Sequence, residues 1–315
     1  MVRSRPMAGQ TVAIERVLLL LNPAARRVAS RGFDPGRVAR WLDRRGVQVR
    51  VAVPASAAAA TREAREAAER GDDAVFAVGG DGTLRDVATG LLGSATALAA
   101  IPGGTVNIWC KEMGLGQGMR GAFEAHLHGQ RVPVDVGMAG ERPFLLMASA
   151  GWDAAVAASV PPGWKRRLGD AAYVLEGLRR APSLRPATMR WRAGLVIHEG
   201  PTALMVVSNT RLYGGRVRFS PGAVANDGLL DVAVLAPRTP ADAIRLAAKL
   251  LAGRLVHDRC AVIVQAPELT IETPGVPLQL DGDPAGETPV TLSVRPGALL
   301  ASIPAGPLPP VLGGP

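Results

Sequence analysis

The stretch Val75-Phe76-Ala77-Val78-Gly79-Gly80-Asp81-Gly82-Thr83-Leu84 decides the fold of the first half of the chain. An apolar strand ends at two glycines, an acid, a third glycine and a hydroxyl residue, and residues 84–92 have the pattern of a helix. Glycines allow tight turns and close approach of a ligand to the main chain, and the amides that begin a helix favour an anion. The stretch predicts a strand, a phosphate-binding loop and a helix, although an ordinary tight turn has a similar composition.

Around this stretch, short apolar runs alternate with helical patterns. The predicted strands are 17–21, 47–53, 74–78 and 97–101, and the other predicted helices are 34–45 and 57–70. Asp34 is a suitable N-cap for the first of these helices, Pro35 lies in its first turn and Gly46 ends it. Alternation of this kind is typical of a parallel sheet covered by helices.

The second half has a different pattern, with short strand-like segments separated by turn signals. The segments are 144–150, 188–192, 203–208, 229–235, 261–264, 269–272, 278–280 and 290–294, and two helices are predicted at 168–180 and 240–251. This pattern favours an antiparallel β-sandwich with helical inserts. The predicted fold is therefore a Rossmann-like three-layer α/β domain followed by a β-sandwich domain, with a ligand cleft expected between them.

The predicted domain bounds follow from these changes in pattern. Residues 1–13 form a flexible leader, 14–138 the α/β domain, 139–303 the sandwich, and 304–315 a tail rich in proline and glycine. Neither the leader nor the tail is expected to contribute to the fold.

The composition limits the class of protein. The chain has 315 residues, of which 48% are hydrophobic and 20% charged, which is typical of a globular protein with room for two cores. No apolar run is long enough for a membrane-spanning helix, and residues 17–21 are too short for a signal-peptide core. Cys110 and Cys260 are far apart in sequence, so we expect two free thiols in a reducing cytoplasm.

The formal net charge is +9, and the basic residues are clustered. Lys165, Arg166 and Arg167 are followed by the arginines at 179, 180, 185, 190 and 192. Such a cluster is attracted to an anionic surface, either membrane lipid or nucleic acid, or it reflects only an arginine-rich composition. Because aromatic residues make up 4% of the chain and do not alternate with the basic ones, a stacking platform for nucleic acid is disfavoured and no nucleic-acid partner is expected.

Four further motifs carry polar residues. Asn22-Pro23 and residues 102–107 each follow a predicted strand, where parallel sheets place ligand loops. Residues 224–232 read Val-Ala-Asn-Asp-Gly-Leu-Leu-Asp-Val, and residues 279–284 read Gln-Leu-Asp-Gly-Asp-Pro. Taken singly, each motif is a common turn former.

Taken in order, the motifs GGDGT, PGGTVN, DVG, NDGLLDV and LDGD resemble the diacylglycerol kinase catalytic-domain family. The resemblance is to its soluble bacterial lipid kinases, which are related to sphingosine and ceramide kinases, and it runs from about residue 17 to 303. Residues 151–154 and 166–169, with Tyr173 and Gly177, also match. GGDGT alone is shared with NAD kinases and phosphofructokinases.

The resemblance implies a two-domain fold that binds ATP at the glycine loops. The implied nucleotide-site residues are Asn22, Gly79, Gly80, Asp81, Gly82, Thr83, Arg85, Gly104, Thr105 and Asn107. By the same resemblance Asp81 is essential and associated with the nucleotide and a catalytic Mg²⁺. A structural Mg²⁺ is implied at Asp227 with the backbone carbonyls of Val224 and Leu229, an oxygen-only set that suits this ion.

The chain departs from the family pattern at the general base, which is the glutamate of an Asp-Gly-Glu motif. The matching residue here is Asp283, whose side chain is one methylene shorter. Either the backbone moves Asp283 inward to take the proton, or Asp281 or Glu287 replaces it, or the activity is weak; Asp283 is the favoured base. Smaller departures are Arg85-Asp86 in place of Asn-Glu, the absence of a glycine after Asn22-Pro23, and residues 54–56 in place of a threonine after the second strand.

The resemblance implies an ATP- and Mg²⁺-dependent kinase that transfers the γ-phosphoryl group to a lipid hydroxyl, with diacylglycerol giving phosphatidate as the first expectation. Such an enzyme is expected in the cytoplasm, peripherally on the inner face of an anionic membrane. Two alternatives stay open: a kinase of NAD or a small alcohol, and a non-catalytic nucleotide- or lipid-binding relative, which Asp283 keeps under consideration. The sequence leaves the oligomeric state open, a homodimer included.

Overall fold

The computed structural model describes residues 13–31, 33–116, 118–159, 186–215, 217–252, 255 and 258–314. The chain forms two units: unit 1 consists of Met1–Asp135 and Pro296–Pro315, and unit 2 of Val136–Arg295. The predicted domains 14–138 and 139–303 differ from these units, because the last part of the chain contacts the first unit. None of the described helices is both long and apolar enough to cross a bilayer.

Unit 1 begins with a parallel sheet covered by helices. Its elements are β1 (Arg16–Leu21), α1 (Arg26–Arg31), α2 (Pro35–Asp43), β2 (Gln48–Ala52), α3 (Ala57–Glu69), β3 (Ala74–Gly79), α4 (Asp81–Leu91), β4 (Ala97–Pro102), α5 (Ile108–Glu112), α6 (Met119–Leu127) and the start of β5 (Gln130–Ala139). The strands run in the order β2-β1-β3-β4 and pair in parallel. The predicted parallel sheet is confirmed.

Local signals in the sequence set the helix bounds in this unit. Asp34 caps α2 by accepting a hydrogen bond from the Gly36 N–H at 2.8 Å, and Gly46 follows the helix with a φ of 80°. Helix α4 begins at Asp81, three residues before the predicted start at Leu84. An acid at the first helical position is favourable beside the positive end of the helix dipole, so Asp81, Gly82 and Thr83 form the first turn of α4 and are not a free loop.

Unit 2 is built from antiparallel strands. Its elements are β6 (Arg142–Phe144), β7 (Met147–Gly151), α7 (Trp152–Ser159), β8 (Ala187–Ala193), β9 (Val196–Thr202), β10 (Leu204–Ser208), β11 (Leu212–Tyr213), β12 (Val217–Arg218), β13 (Leu230–Leu235), α8 (Pro240–Leu251), β14 (Ala261–Ala266), β15 (Glu268–Ile271), β16 (Pro277–Leu280), β17 (Asp283–Glu287) and the first part of β18 (Val290–Ile303). One sheet has the order β14-β13-β10-β7-β16-β17, and β18, β15, β8 and β9 pair side by side as one end of the ten-stranded sheet that also contains β2-β1-β3-β4.

The core of unit 2 lies between these two sheets. Met189, Trp191 and Leu269 from one sheet share a buried cluster with Met205 and Val232 from the other. This arrangement confirms the predicted antiparallel sandwich, and α8 has the predicted bounds. The end of β18 belongs to unit 1, where Ala301 pairs in parallel with Leu98 of β4.

Several sequence predictions need correction. The strand predicted at 144–150 is interrupted at Leu145 and Leu146, whose amides bond to a side chain described below. The tail 304–315 was expected to lie outside the fold, yet Val311 and Leu312 are buried. The side-chain amide of Gln130 also donates to the carbonyl oxygens of Pro304 and Gly306. Strands β5, β9, β11, β12 and β17 and helices α1, α5, α6 and α7 were not predicted.

Some sequence predictions fall where the structure gives no description. Most of the leader 1–13, the helix 168–180, the basic cluster at 165–167 and the matches at 166–169, Tyr173 and Gly177 lie outside the described residues.

Candidate active site

Loops at the carboxyl ends of β1 and β3 are tied together by Asn22. Its backbone N–H donates to the carbonyl oxygen of Val78 at 3.0 Å, and its side-chain Nδ2 donates to Thr83 Oγ1 at 2.8 Å. Its own Oδ1 accepts from the Ala24 N–H at 3.0 Å. Because the side-chain amide is used on both loops, Asn22 sets their relative position.

The loop after β4 packs directly on the loop after β3. The N–H groups of Gly103 and Gly104 both donate to the carbonyl oxygen of Gly79, at 2.9 and 3.1 Å. A Cβ on Gly104 would lie 2.6 Å from Gly80 Cα, and one on Gly79 would lie 2.5 Å from Thr83 Cβ. Gly104 is therefore required by close packing of backbone and Gly79 by the Thr83 side chain, and the two glycine motifs form one structure.

Asp81 links α4 to α5. Its Oδ2 accepts from the Ile108 N–H and its Oδ1 from the Trp109 N–H, both at 3.0 Å. Burial raises the pKa of the Asp81 carboxyl above its ordinary value, and the two amides and the charge of Lys111 act in the opposite direction. A carboxylate oxygen has more than one acceptor site, so this anchoring leaves Asp81 able to accept further bonds.

Asn107 shapes the loop between β4 and α5 from inside. It has a left-handed φ of 53° and is 1% exposed. Its Oδ1 accepts from the Gly104 N–H at 2.8 Å, and its Nδ2 donates to the Gly104 carbonyl at 3.0 Å. Thr105 in the same loop is exposed. Thr105 and Asn107 are both implied nucleotide-site residues, but the Asn107 side chain is used to close the loop, whereas Thr105 is exposed to solvent.

Two cations near these loops were not identified from the sequence as site residues. The Lys111 charge lowers the pKa of Asp81. The Arg27 N–H donates to the Gly103 carbonyl at 2.9 Å. Burial and the Asp81 charge raise the pKa of the Cys110 thiol, and the Arg27 charge opposes them. A signal for Lys111 was available, because it follows the PGGTVN motif by four residues and the chain contains few lysines.

Arg85 lies on α4 and is half-buried. Its guanidinium is 4.0 Å from the carboxylate of Asp86. The implied contact of Arg85 with the nucleotide stays a prediction.

In unit 2, the Leu280-Asp281-Gly282-Asp283 motif forms a hairpin turn. Leu280 pairs directly with Asp283, and the two residues between them have φ angles of 50° and 85°. Two consecutive positive φ angles define a type I′ turn, for which Asp-Gly is a favoured sequence. Asp281 is therefore a turn residue.

The Asp281 carboxylate also fixes the neighbouring chain. It accepts hydrogen bonds from the N–H groups of Leu145, Leu146 and Met147 at 2.8–3.1 Å. These bonds explain why the strand predicted at 144–150 is broken. A carboxylate that accepts three backbone N–H bonds has a structural role, and this disfavours Asp281 as the base.

The two remaining base candidates lie at opposite ends of β17. Asp283 is the first residue after the turn and is half-buried, whereas Glu287 is exposed and pairs with Pro277 at the far end. Four residues of strand separate them by about 13 Å. Glu287 therefore does not replace Asp283 at the same place.

The implied metal loop around Asp227 is an exposed turn. Asp227 Oδ1 accepts from the Leu229 N–H at 2.9 Å. Burial raises the pKa of nearby Asp231 to about 6, Gln265 opposes this, and the Asp227 charge adds to it. Two carboxylates that repel each other favour a bound cation, and one carboxylate with two carbonyls is an oxygen-only donor set that fits Mg²⁺. Among the described residues, no three His, Cys, Asp or Glu side chains are close enough to hold a metal, so such a site needs the backbone carbonyls.

Comparison with known proteins places the chain in a family. Residues 16–139 match the description "Diacylglycerol kinase catalytic domain", and residues 147–302 match "YegS C-terminal NAD kinase beta sandwich-like domain". A Pseudomonas putida protein named "Probable lipid kinase YegS-like" is 36% identical over 251 residues, which cover 78% of this chain and 82% of that protein. The chain belongs to the diacylglycerol kinase catalytic-domain family.

Other members of this diacylglycerol kinase family extend the comparison. A Bacillus subtilis protein named "Diacylglycerol kinase" is 29% identical over 280 residues, covering 88% of this chain and 92% of its own. A solved diacylglycerol kinase structure from Bacillus anthracis has a TM-score of 0.70 at 21% identity and covers 92% of this chain and 97% of its own. At that identity the likeness shows the fold. The loops around Asp81 lie within the catalytic-domain match, and Asp227 and Asp283 lie within the sandwich match.

Proposed function

We propose that this member of the lipid kinase family transfers the γ-phosphoryl group of ATP to a lipid hydroxyl, with diacylglycerol as acceptor and phosphatidate as product. The observation that carries the proposal is the junction of the two glycine motifs, where Gly79 accepts both the Gly103 and Gly104 amides. The glycines at this junction carry no side chain, so a phosphate can approach the main chain closely. The junction also lies at the start of an eleven-residue helix, whose first amides favour an anion.

Unit 1 supplies the groups that bind phosphates. The first amides of α4 and the helix dipole favour an anion. Lys111 and Arg27 add positive charge, since both act on the pKa values of buried groups in these loops. Positioning and charge stabilisation are the main requirements of phosphoryl transfer. The loops thus bind and orient the triphosphate, with Asp81 fixing α5 against α4.

Unit 2 supplies the base. The acceptor hydroxyl oxygen forms a bond to the γ-phosphorus, the bond from that phosphorus to the bridging oxygen of ADP breaks, and the Asp283 carboxylate takes the hydroxyl proton. Asp283 is favoured because Asp281 is held by three amides and Glu287 lies at the far end of β17. General-base catalysis of this kind contributes about 10²–10⁴ in rate.

Mg²⁺, when bound, offsets the negative charge of the transferred phosphoryl group and its leaving group. Asp81 is the residue we assign to a catalytic ion, and Asp227 with the carbonyls of Val224 and Leu229 to a structural one.

The partner of such an enzyme is a membrane that contains its substrate. We propose peripheral binding to an anionic bilayer, supported by the net charge of +9. Charge-driven binding weakens as salt rises. Vesicle binding that stays constant between low and high salt would contradict this part of the proposal.

The deciding experiment is transfer of labelled phosphate from ATP, with Mg²⁺, to a panel of lipids in mixed micelles and to NAD. We expect a labelled lipid phosphate, with activity lost in Asp81→Ala and Asp283→Asn and retained in Glu287→Gln. Labelled NAD without labelled lipid would instead make the protein a soluble-substrate kinase. ATP binding with no product would make it a non-catalytic relative.

A further inference from the structure

The turn between β8 and β9 in unit 2 exposes three consecutive large apolar side chains. Leu195 is 102% exposed, Val196 44% and Ile197 64%. Among the described residues only seven large hydrophobic side chains are exposed, and three of them lie at this one turn. A run of exposed apolar residues is disfavoured in a protein surrounded by water unless it contacts a partner.

The strand pairing next to the turn sets which face of the sheet each neighbouring side chain occupies. Gly194, with a φ of 58°, begins the turn, and the two flanking strands pair Ala193 with Val196 and Arg192 with Ile197. Directly paired residues lie on the same face of a sheet. Ala193 is buried, so Val196 is on the core face, whereas Ile197 shares the outer face with the exposed Arg192. The tip therefore combines apolar groups with a cation.

We propose that this hairpin tip, Leu195 with Ile197 and Arg192, docks the protein on an anionic phospholipid bilayer. This inference rests on the proposed function, which requires access to a lipid, and it assigns the contact to a named element. Apolar side chains enter the acyl boundary while the adjacent guanidinium contacts lipid phosphates. Neither signal is strong alone, and stable membrane binding generally combines two.

The alternative partner of this surface is a second copy of the chain, paired through the edge strand β9. The sequence of β9 disfavours this alternative. Pro201 has no N–H to donate to a ladder, and Glu199 is a charged residue on the same edge. Both are devices that prevent edge-to-edge pairing. Glu199 also pairs with Arg190 at 3.5 Å, which in turn pairs with Glu272 at 2.7 Å. Glu199 and Glu272 are thus both paired with Arg190, and they lie further from the hairpin tip than Arg192.

A site-specific fluorophore tests the contact directly. Cys110 and Cys260 are buried, so a Leu195→Cys variant can be labelled selectively with an environment-sensitive dye. On addition of phosphatidylglycerol–phosphatidylcholine vesicles we expect a blue shift at position 195. An Ile244→Cys variant, labelled at an exposed position on α8, should show no shift. Equal shifts at both positions, or none at 195, would overturn the proposal.

Vesicle sedimentation gives the second measurement. Leu195→Ser with Ile197→Ser should weaken binding at least about tenfold, since both aliphatic side chains lose their burial in the bilayer, while Ile244→Ser should bind like the wild type. Unchanged binding of the double variant would overturn the proposal, as would a wild-type dimer that the double variant converts to a monomer. Phosphorylation of a water-soluble short-chain diacylglycerol reports the proposed function separately, because that substrate needs no docking.

Discussion

Asp81 and Trp109 are joined across 28 positions of sequence: the Asp81 Oδ1 accepts the Trp109 backbone N–H at 3.0 Å, and its Oδ2 accepts the neighbouring Ile108 N–H. A residue expected to act on the nucleotide therefore also fixes the short helix α5. The junction depends on an acceptor at both oxygens.

The first prediction concerns Asp81→Asn. In this variant the side-chain NH₂ group faces one of the two backbone N–H donors that the carboxylate accepted, so that buried donor loses its partner. The free energy of unfolding should therefore fall by about 1–3 kcal/mol. ATP affinity should fall with it. Denaturant unfolding and ATP titration provide the measurements, with Asp86→Asn, on the same helix, as control. A variant as stable as the wild type would show that Asp81 does not anchor α5.

The second prediction concerns Gly104→Ala. The added Cβ would lie 2.6 Å from Gly80 Cα, so backbone must move and the two glycine motifs separate. Overpacking of this kind costs about 1–3 kcal/mol of stability, and we expect ATP binding to weaken. Gly116→Ala is the matched control, because a Cβ there meets nothing within 4 Å. Equal ATP affinities for the two variants would contradict the close-packed junction.

The sequence predicted the parallel sheet and the sandwich because their apolar runs, caps and turn residues are local signals. It also identified the motifs that the structure brings together, such as Asn22 with Thr83. Other roles depend on contacts distant in sequence. The Asp281 carboxylate bonds to amides about 135 positions earlier, and this broke a strand that residues 144–150 predicted. Likewise, the proline-rich tail gave no local indication that Val311 and Leu312 are buried.

The third prediction concerns the length of the base at position 283. Asp283→Asn removes the proton acceptor and should lower kcat by about 10²–10⁴. Asp283→Glu restores the residue of the family's Asp-Gly-Glu motif and should keep kcat at or above the wild-type value. Steady-state kinetics with diacylglycerol micelles tests both. If Asp283→Asn is as active as Glu287→Gln, the base lies elsewhere.

The fourth prediction concerns buried His126. Its Nε2 lies 3.0 Å from the Ala100 carbonyl, so it carries the proton, and its Nδ1 accepts from Ser302 Oγ at 2.9 Å. Burial lowers the pKa of His126 to about 4, opposed by the Ala100 bond. The unfolded chain binds a second proton on this ring near pH 6.5, whereas the folded protein binds it only near pH 4. The stability that neutral His126 contributes is therefore fully present above pH 6.5 and is lost as the pH falls towards 4, by about 3 kcal/mol in total. Urea unfolding at pH 7.5 and 5 should show a steeper loss in the wild type than in His126→Gln; equal losses would contradict the neutral assignment.

The fifth prediction concerns Mg²⁺ at the Asp227 loop. A cation there offsets the repulsion between Asp227 and Asp231, so millimolar Mg²⁺ should stabilise the protein, by about 2.7 kcal/mol at a concentration 100-fold above Kd. Asp227→Asn should abolish this gain and lower the pKa of Asp231, because the Asp227 charge is one cause of its elevation. Thermal unfolding with and without MgCl₂ at constant ionic strength is the measurement. Glu268→Gln, at an exposed position on β15, is the control and should keep the full response. An equal response in Asp227→Asn would place the ion at another site, since the loop then lacks its one carboxylate.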